Sequence, residues 1–429
     1  MNQARRAGVA ALVGTTLEWY DFLIYGTAAA VALNKLFFPL AAPTAGRLAV
    51  FATYAVGFAA RPVGGLVIGH LGDRRGRRAV LLLTITVMGV ATTLIGLLPT
   101  YAQIGVWAPV LLVLLRLAQG FAAGGEYAGA VVLSVEHARP GGRGLAGAWA
   151  ASGFALATLL STGVFQLMVR MPEQAFLAWG WRVPFLLGAA LLVAGFFIRR
   201  RVTESPVFRS AVRPERAPVL AVLRGNARPF VVVIGARLAE NAFAYTFPVF
   251  GVAYAVDTLG VDRQLTLLAV VLAAGVQIAA VPLWAALSDR VGRRIVYAGG
   301  AVASACWLVP YFLLLQTLSP APLVAGFVVG FGVLYPAMLA PQAAYFAELF
   351  DAGTRLSGFA TARELGSVLA GGLLPLVATA LVAWAGHWWP VAVYLTVLSA
   401  ITVAALAWGR ETRRPAEDDR VSAGAGPSA

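Results

Sequence analysis

The sequence GHLGDRRGRR, residues 69–78, lies between two apolar segments, 47–71 and 79–98. Each segment has about the 20 residues that a helix needs to cross the apolar core of a bilayer. A similar sequence, DRVGRR at residues 289–294, also separates two apolar segments in the second part of the chain. A charged turn repeated between apolar segments predicts a membrane protein built from two related halves.

The composition supports this prediction. The chain is 60% hydrophobic and only 12% charged, whereas soluble domains carry about a quarter of their residues as charged ones. The net charge is +14, but the arginines lie in short loops between apolar segments, which is typical of membrane topology and not of nucleic-acid binding. One cysteine and three scattered histidines offer no disulfide and no metal-ligand spacing, so no metal and no cofactor is predicted.

Apolar segments bounded by charged residues, proline or glycine number twelve. The predicted fold is therefore all-α and integral to the membrane, with twelve transmembrane helices in two six-helix bundles. The predicted divisions are residues 1–199 for the first bundle, 200–228 for a cytoplasmic linker, 229–409 for the second bundle and 410–429 for a short flexible tail. Predicted segments are 9–33, 47–71, 79–98, 107–134, 145–169, 182–199, 229–256, 264–287, 295–317, 322–346, 356–384 and 388–409.

The distribution of basic residues predicts the orientation. Placing both termini in the cytoplasm puts 24 basic residues on that side and five on the other, as the positive-inside rule requires. We therefore expect a multi-pass protein of a bacterial inner membrane with cytoplasmic termini. Six tryptophans at the opposite segment ends predict an interfacial aromatic belt: Trp107, Trp179, Trp181, Trp384, Trp388 and Trp389.

The charged turns suggest a conformational latch. Gly76 permits a tight turn, and Asp73 can pair with arginines at the cytoplasmic surface in one conformation and release them in another. Asp289 with Arg290 is the equivalent pair of the second half. The alternative is a role in topology alone. The predicted latch residues are Gly69, Asp73, Arg74, Gly76, Arg77, Glu136, Arg143, Asp289, Arg290, Arg293, Glu348 and Arg355.

Charged residues also occur within the apolar segments. In the fourth segment, Arg116, Gln119 and Glu126 lie towards one helical face, and charges at membrane depth are paired or face water. Nearby glycines allow a neighbouring helix to approach closely. In the first segment, Glu18 and Asp21 share a face at i, i+3. Buried carboxylates suit proton coupling, although pairing with neighbouring arginines is the structural alternative.

Several of these motifs resemble a known family. The turn at residues 69–78 and the sequence RLAQG at 116–120 resemble signatures of the major facilitator superfamily. EWYDF at 18–22, RPVGG at 61–65, the stretch 119–126, WGWRVPF at 179–185 and ESP at 204–206 resemble the metabolite:H⁺ symporter family. The resemblance implies a major facilitator fold and proton-driven uptake of small organic acids or zwitterionic osmolytes.

The second half is less distinctive. RLAEN at 237–241 is similar to the shikimate-transporter branch, and Arg237 either pairs with Glu240 or meets a substrate carboxylate. Arg363-Glu364 departs from that branch, and its role stays open. Four arginines and five carboxylates within the segments would attract an anionic ligand once one or two carboxylates are protonated.

These observations predict a transporter and not an enzyme: a monomeric, proton-coupled importer of a shikimate- or dicarboxylate-like acid. An exporter of drugs or metabolites and an importer of a zwitterionic osmolyte are the alternatives. Its predicted partners are a small-molecule substrate, protons and the lipid bilayer, with no nucleic acid. The predicted substrate-binding residues are Arg116, Gln119, Arg237, Tyr25 and Asn241, and the predicted proton-coupling residues are Glu18, Asp21, Glu126 and Glu240.

Overall fold

Twelve long helices make up most of the described chain. The computed structural model describes residues 3–75, 77–124, 131, 143–200, 227–350 and 355–412, and none of these residues forms a β-strand. Eight helical segments within this part are long and apolar enough to cross a membrane, and Leu83–Leu97 and Trp107–Ala123 are shorter apolar helices. The all-α membrane fold predicted from the sequence is thereby confirmed.

The helices follow the predicted segments closely. In the first half they are α1 (Gln3–Ala28, extended by Ala29–Leu33 and Asn34–Phe37), α2 (Pro43–Arg75), α3 (Arg77–Leu97), α4 (Trp107–Ala123), α5 (Arg143–Met168) and α6 (Val183–Arg200). In the second half they are α7 (Ala227–Tyr245, extended by Thr246–Gly251 and Tyr254–Thr258), α8 (Arg263–Val291), α9 (Arg293–Gln316), α10 (Pro320–Phe327, Val328–Leu334 and Pro336–Leu349), α11 (Arg355–Ser367, Val368–Gly372 and Leu374–Ala385) and α12 (Trp389–Trp408).

The two halves meet along a small set of helices. Helix α5 packs against α8 and α10, and α2 packs against α11. π-helical turns occur at this interface, because Ala29–Leu33 of α1 contacts Thr246–Gly251 of α7 and Val368–Gly372 of α11 contacts α2. Such turns often mark functional sites, since they interrupt the regular helical hydrogen bonds. The interface between the halves is therefore the place to look for a site.

Glycines bring α2 and α4 into backbone contact, as the sequence predicted. A Cβ built on Gly120 would lie 1.8 Å from the Gly57 carbonyl oxygen, and one on Gly124 would lie 2.1 Å from the Arg61 carbonyl oxygen. Neither position can accept a side chain without separating the helices. This close packing places Arg116 of α4 directly against α2.

The predicted aromatic belt is only partly correct. Trp107, Trp179, Trp384 and Trp389 are more than half exposed, as a belt requires. Trp181 is fully buried between Phe37 and Phe185, and Trp388 is buried and stacks on Phe312 at 5.0 Å. These two tryptophans pack against aromatic side chains inside the protein, which residue type alone does not reveal.

Candidate substrate and coupling site

Four arginines lie in the interior of the molecule. Arg61, Arg116, Arg237 and Arg363 come from α2, α4, α7 and α11, and each is at most 1% exposed. A buried guanidinium group loses its hydration and is stable only with compensating partners. The partners of these four arginines therefore define the chemistry of the site.

Arg116 is held without an ion pair to a described residue. Its Nη1 donates to Gln119 Oε1 at 2.9 Å, and Gln119 Nε2 donates in turn to Thr92 Oγ1 at 2.7 Å. Its Nε and Nη2 have no hydrogen-bond partner among the described residues. The guanidinium lies 4.1 Å from the ring centre of Tyr25, so cation–π contact replaces part of its lost hydration.

Two more aromatic rings lie near the Arg116 guanidinium. Phe22 and Tyr54 each lie with the ring centre 5.1 Å from the Arg116 guanidinium. Gly57 leaves the space that Nη2 occupies, since a Cβ there would lie 2.8 Å from it. Asp21 is buried and interacts electrostatically with Arg116. The sequence placed Arg116, Gln119 and Tyr25 in one site, and the structure brings these three together.

Arg237 has the opposite kind of surroundings. It pairs with Glu240 on the same helix, donates from Nη1 to Gln342 Oε1 at 2.8 Å and donates from Nε to Ser367 Oγ at 3.1 Å. The Tyr335 hydroxyl donates to the second Glu240 oxygen at 2.8 Å. Of the two interpretations drawn from the sequence, this geometry matches the pair with Glu240.

Arg61 joins the two halves. Its Nη2 lies 3.1 Å from Glu18 Oε1 in the first half, and its Nε lies 2.7 Å from Glu364 Oε2 in the second half. Arg363 pairs with the same Glu364 carboxylate. The sequence counted Arg61, Arg363 and Glu364 among the buried charges without giving them a role. Only the packing of α2 against α11 reveals their association.

Neutral polar groups lie between these arginines. Asn241 is fully buried, and neither atom of its amide has a hydrogen-bond partner among the described residues. The hydroxyls of Tyr54 and Tyr245 approach each other across the interface, but neither makes a hydrogen bond of normal geometry within the described chain. Asn241 was predicted as a binding residue, whereas both tyrosines were missed. The i, i+4 spacing of Asn241 and Tyr245 on one helical face was the available signal.

The predicted coupling carboxylates are buried where the structure describes them. Glu18 is 3% exposed, and Asp21 and Glu240 are each 1% exposed. Glu18 and Glu240 are paired with Arg61 and Arg237. Glu126 lies outside the described residues.

The charged turn of the second half contacts the first half. Asp289 accepts hydrogen bonds from the backbone N–H groups of Gly144 at 2.9 Å and Leu145 at 3.0 Å, which caps the first turn of α5. Arg293 pairs with Asp289 at 3.0 Å and with Glu348 at 2.6 Å. Asp289 thus pairs with Arg293 and not with Arg290, the exposed neighbour to which the sequence assigned it.

The turn geometry explains this partner. Gly292 has φ +125°, a conformation that favours glycine, and it turns the chain so that Arg293 begins α9 beside Asp289. Arg143 is exposed at the start of α5. Of the other predicted latch residues, Gly76 and Glu136 lie outside the described part of the chain. The surroundings of Gly69 and the side chains of Asp73, Arg74, Arg77 and Arg355 lie outside it as well.

A weaker contact joins the halves at the other end. Glu173 accepts a hydrogen bond from Lys35 Nζ at 2.7 Å, and Arg263 of the second half lies 3.8 Å away. The Glu173 side chain is 59% exposed. The hydrogen bond to Lys35 holds the pKa of Glu173 below its ordinary value, so this carboxylate is ionised at neutral pH.

Comparisons with known proteins agree with this architecture. Residues 7–228 match the family model "Sugar (and other) transporter", and residues 230–428 match the model "Major Facilitator Superfamily". The proton:xylose symporter XylE superposes with a TM-score of 0.74 over 96% of both chains at 16% sequence identity, which shows a shared fold.

Relatives with higher identity are transporters. The chain is 38% identical to the shikimate transporter of Escherichia coli over 94% of both chains. It is 34% identical to the inner membrane metabolite transport protein YhjE of E. coli over 96% of both chains. It is 33% identical to the proline/betaine transporter of Salmonella typhimurium over 93% of this chain and 82% of the relative. The chain therefore belongs to the major facilitator superfamily and, within it, to the metabolite:H⁺ symporter family, and it is a membrane transporter and not an enzyme.

Proposed function

We propose that this protein is a proton-coupled importer of a small hydroxylated acid with one carboxylate. The observation that carries the proposal is Arg116, a fully buried arginine with two nitrogen atoms that no described residue hydrogen-bonds. A substrate carboxylate would supply the missing acceptors. Arginine suits this task because its planar donors match the two carboxylate oxygens and its charge does not titrate.

The charges favour one carboxylate over two. Arg61, Arg237 and Arg363 each already contact a carboxylate of the protein. A second carboxylate on the substrate would have to compete with Glu18, Glu240 or Glu364 for one of these arginines. Arg116 is thus the one of the four buried arginines without an ion pair among the described residues, and a monocarboxylate fits this arrangement better than a dicarboxylate.

The neutral groups favour hydroxyls on the substrate. The Asn241 amide and the Tyr54 and Tyr245 hydroxyls can both donate and accept hydrogen bonds. A site that buries such groups selects ligands that hydrogen-bond to them, because a ligand lacking the partner leaves them unpaired. Shikimate, named in a 38% identical relative, is a monocarboxylate that carries hydroxyl groups.

Proton coupling follows the same electrostatics. Moving an anion into a site of low dielectric constant is less costly when a proton enters with it, because the pair adds no net charge. The buried carboxylates Glu18, Asp21 and Glu240, and Glu126 beyond the described residues, are the predicted proton acceptors. Alternating access between the two halves would then carry substrate and proton together.

Uptake into proteoliposomes tests the proposal. The panel comprises shikimate, α-ketoglutarate, citrate, proline and betaine, each with and without an inward proton gradient. We expect gradient-driven accumulation of shikimate. Accumulation restricted to the dicarboxylate, citrate or the zwitterions would overturn the monocarboxylate assignment, and gradient-driven efflux in place of uptake would overturn import.

A matched variant pair links uptake to Arg116. Arg116→Gln removes the cation and should abolish saturable uptake, whereas Arg47→Gln removes an arginine at the α2 terminus and should leave it intact. Arg47 is a suitable control because its Nη2 donates only to Thr44 Oγ1, three residues away, at 3.2 Å. Equal loss in both variants would contradict a specific role for Arg116.

A further inference from the structure

Glu364 has an arginine from each half beside it. Arg61 of α2 lies 2.7 Å from Glu364 Oε2, and Arg363 of α11 pairs with Glu364 Oε1. The two partners differ in origin, because α2 belongs to the first half and α11 to the second. Glu364 is 4% exposed, so bulk water does not take the place of either guanidinium.

Two other buried carboxylates each have an arginine partner in their own half. Glu18 of α1 pairs with Arg61 of α2, and Glu240 pairs with Arg237 on the same helix. Movement of one half against the other leaves these pairs together. It separates Glu364 from Arg61, so the electrostatic surroundings of Glu364 depend on the conformation of the transporter.

We propose that Glu364 is a proton-coupling residue of this transporter, whose ion pair with Arg61 holds the two halves together until a proton neutralises it. A proton on Glu364 removes the charge that attracts Arg61, so it favours the separated halves. The inference rests on the proposed proton-coupled function.

The cluster can divide without leaving an isolated charge. Arg61 with Glu18 forms one neutral pair in the first half, and Arg363 with Glu364 forms another in the second half. Breaking a buried ion pair by removal of one partner is costly because the remaining charge is uncompensated. While Glu364 is ionised, each charge keeps a partner when the halves part, and after protonation of Glu364 Arg61 still has Glu18. The contact between Arg61 and Glu364 can therefore open and close repeatedly.

Proton and substrate charges also balance at this point. A proton taken from outside water neutralises Glu364 and adds one positive charge to the site, and the substrate carboxylate adds one negative charge at Arg116. The two together leave the net charge of the site unchanged. Phe22 lies between the two regions, with its ring centre 4.7 Å from the Arg61 guanidinium and 5.1 Å from that of Arg116.

The remaining groups around Glu364 are compatible with this role. Arg237 of α7 interacts electrostatically with Glu364, and Tyr245 of α7 does so with Arg61 and Arg363. Trp19 of α1 lies between Arg61 and Arg363, 5.8 Å and 5.7 Å from the two guanidinium groups. The charged and titratable groups that surround Glu364 thus include Glu18, Arg61, Arg237, Tyr245 and Arg363.

The variant Glu364→Gln distinguishes proton coupling from substrate transport across the membrane. In proteoliposomes, a gradient of one pH unit supports about tenfold accumulation for each proton carried. We expect the parent protein to accumulate shikimate under this gradient and Glu364→Gln to bring it only to equal concentrations inside and outside. Counterflow, which exchanges labelled for unlabelled substrate without a gradient, should persist in the variant.

The comparator is Glu173→Gln, which removes an exposed carboxylate that also lies near basic residues of both halves, Lys35 and Arg263. It should keep accumulation dependent on the gradient. If Glu364→Gln accumulates substrate as the parent does, the inference fails and the proposed function stands. If the parent itself does not respond to the gradient, the proposed function fails.

A variant that removes both charges controls for loss of folding in the single variant. Glu364→Gln leaves Arg363 without its carboxylate, so Arg363→Gln/Glu364→Gln removes the pair together. We expect counterflow without accumulation in the double variant. Gradient-driven accumulation in this variant would overturn the inference. Absence of counterflow in both variants would show that the pair is needed for the transport cycle itself, which would also overturn a specific role in coupling.

Discussion

Arg116 and Arg237 have the same local sequence pattern and opposite surroundings. Each is followed three residues later by a side chain that it contacts, Gln119 in α4 and Glu240 in α7. The amide gives Arg116 no ion pair, whereas the carboxylate neutralises Arg237. We therefore propose that Arg116 is available to an anionic ligand and that Arg237 belongs to the protein framework.

The difference shows how two related halves can take different roles. A buried cation is unfavourable unless something compensates it. In the second half the chain itself supplies the compensation, together with Gln342, Ser367 and Tyr335. In the first half, aromatic rings supply part of the compensation for Arg116, and the substrate would supply the rest.

The largest effect is expected on stability, when the ion pair between Arg237 and Glu240 is broken. Arg237→Gln leaves Glu240 buried without its cation, which should lower the free energy of unfolding by about 3–5 kcal/mol. Thermal unfolding in detergent measures the change. Arg237→Gln/Glu240→Gln removes both charges and should recover most of the stability. A single variant as stable as the parent would show that Arg237 is not a framework residue.

The second-largest effect is expected when Arg116 is given a carboxylate three residues later, as Arg237 has in Glu240. Gln119→Glu places a carboxylate three residues after Arg116, where it can pair with the guanidinium. We expect kcat/KM for shikimate uptake to fall about 30-fold or more, since about 2 kcal/mol or more of a buried charge contact is lost to the substrate. Unchanged uptake by a folded Gln119→Glu variant would argue against Arg116 as the anion site.

Removal of a neutral polar group of the site should have a smaller effect on uptake than removal of a charged one. Asn241→Ala removes the unpaired amide beside the interface. We expect KM for shikimate to rise about fivefold, because one hydrogen bond contributes about 1 kcal/mol. An analogue lacking the hydroxyl groups should show no such change. An equal loss for both compounds would point to altered packing instead.

The contact at the predicted cytoplasmic end should shift the conformational equilibrium by a modest amount. Asp289→Ala removes the cap on α5, and caps contribute about 1 kcal/mol. Electron–electron distances between spin labels on α5 and α8 should show a larger share of molecules in which these two helices are apart. An unchanged distance distribution would mean that Asp289 does not hold this end closed.

The smallest effect is expected at Glu173, at the opposite end. Its side chain is mostly exposed, and exposed ion pairs contribute at most about 1 kcal/mol. Because the pKa of Glu173 is held below its ordinary value, the interaction is complete at neutral pH and is lost only as pH falls through that lowered pKa. Uptake by Glu173→Gln should thus stay within about twofold of the parent at neutral pH. A larger loss would make this contact a true gate.

Much of the architecture could be read from the sequence. The twelve segments follow from apolar stretches of membrane length, and the inward face of α4 follows from the spacing of Arg116 and Gln119. The glycines of α4 predicted a close neighbouring helix, which the structure identifies as α2. These features depend on residues that are near each other in the chain, so local periodicity and composition determine them.

The contacts between charged groups and partners far apart in the chain were decided by tertiary structure alone. Glu364 meets Arg61, which is 303 positions away, and Asp289 caps a helix of the other half, 145 positions before it. Trp181 and Trp388 are buried for the same kind of reason. Such contacts depend on how two separately formed helix bundles are placed against each other, and the sequence of either bundle does not contain that placement in any local pattern.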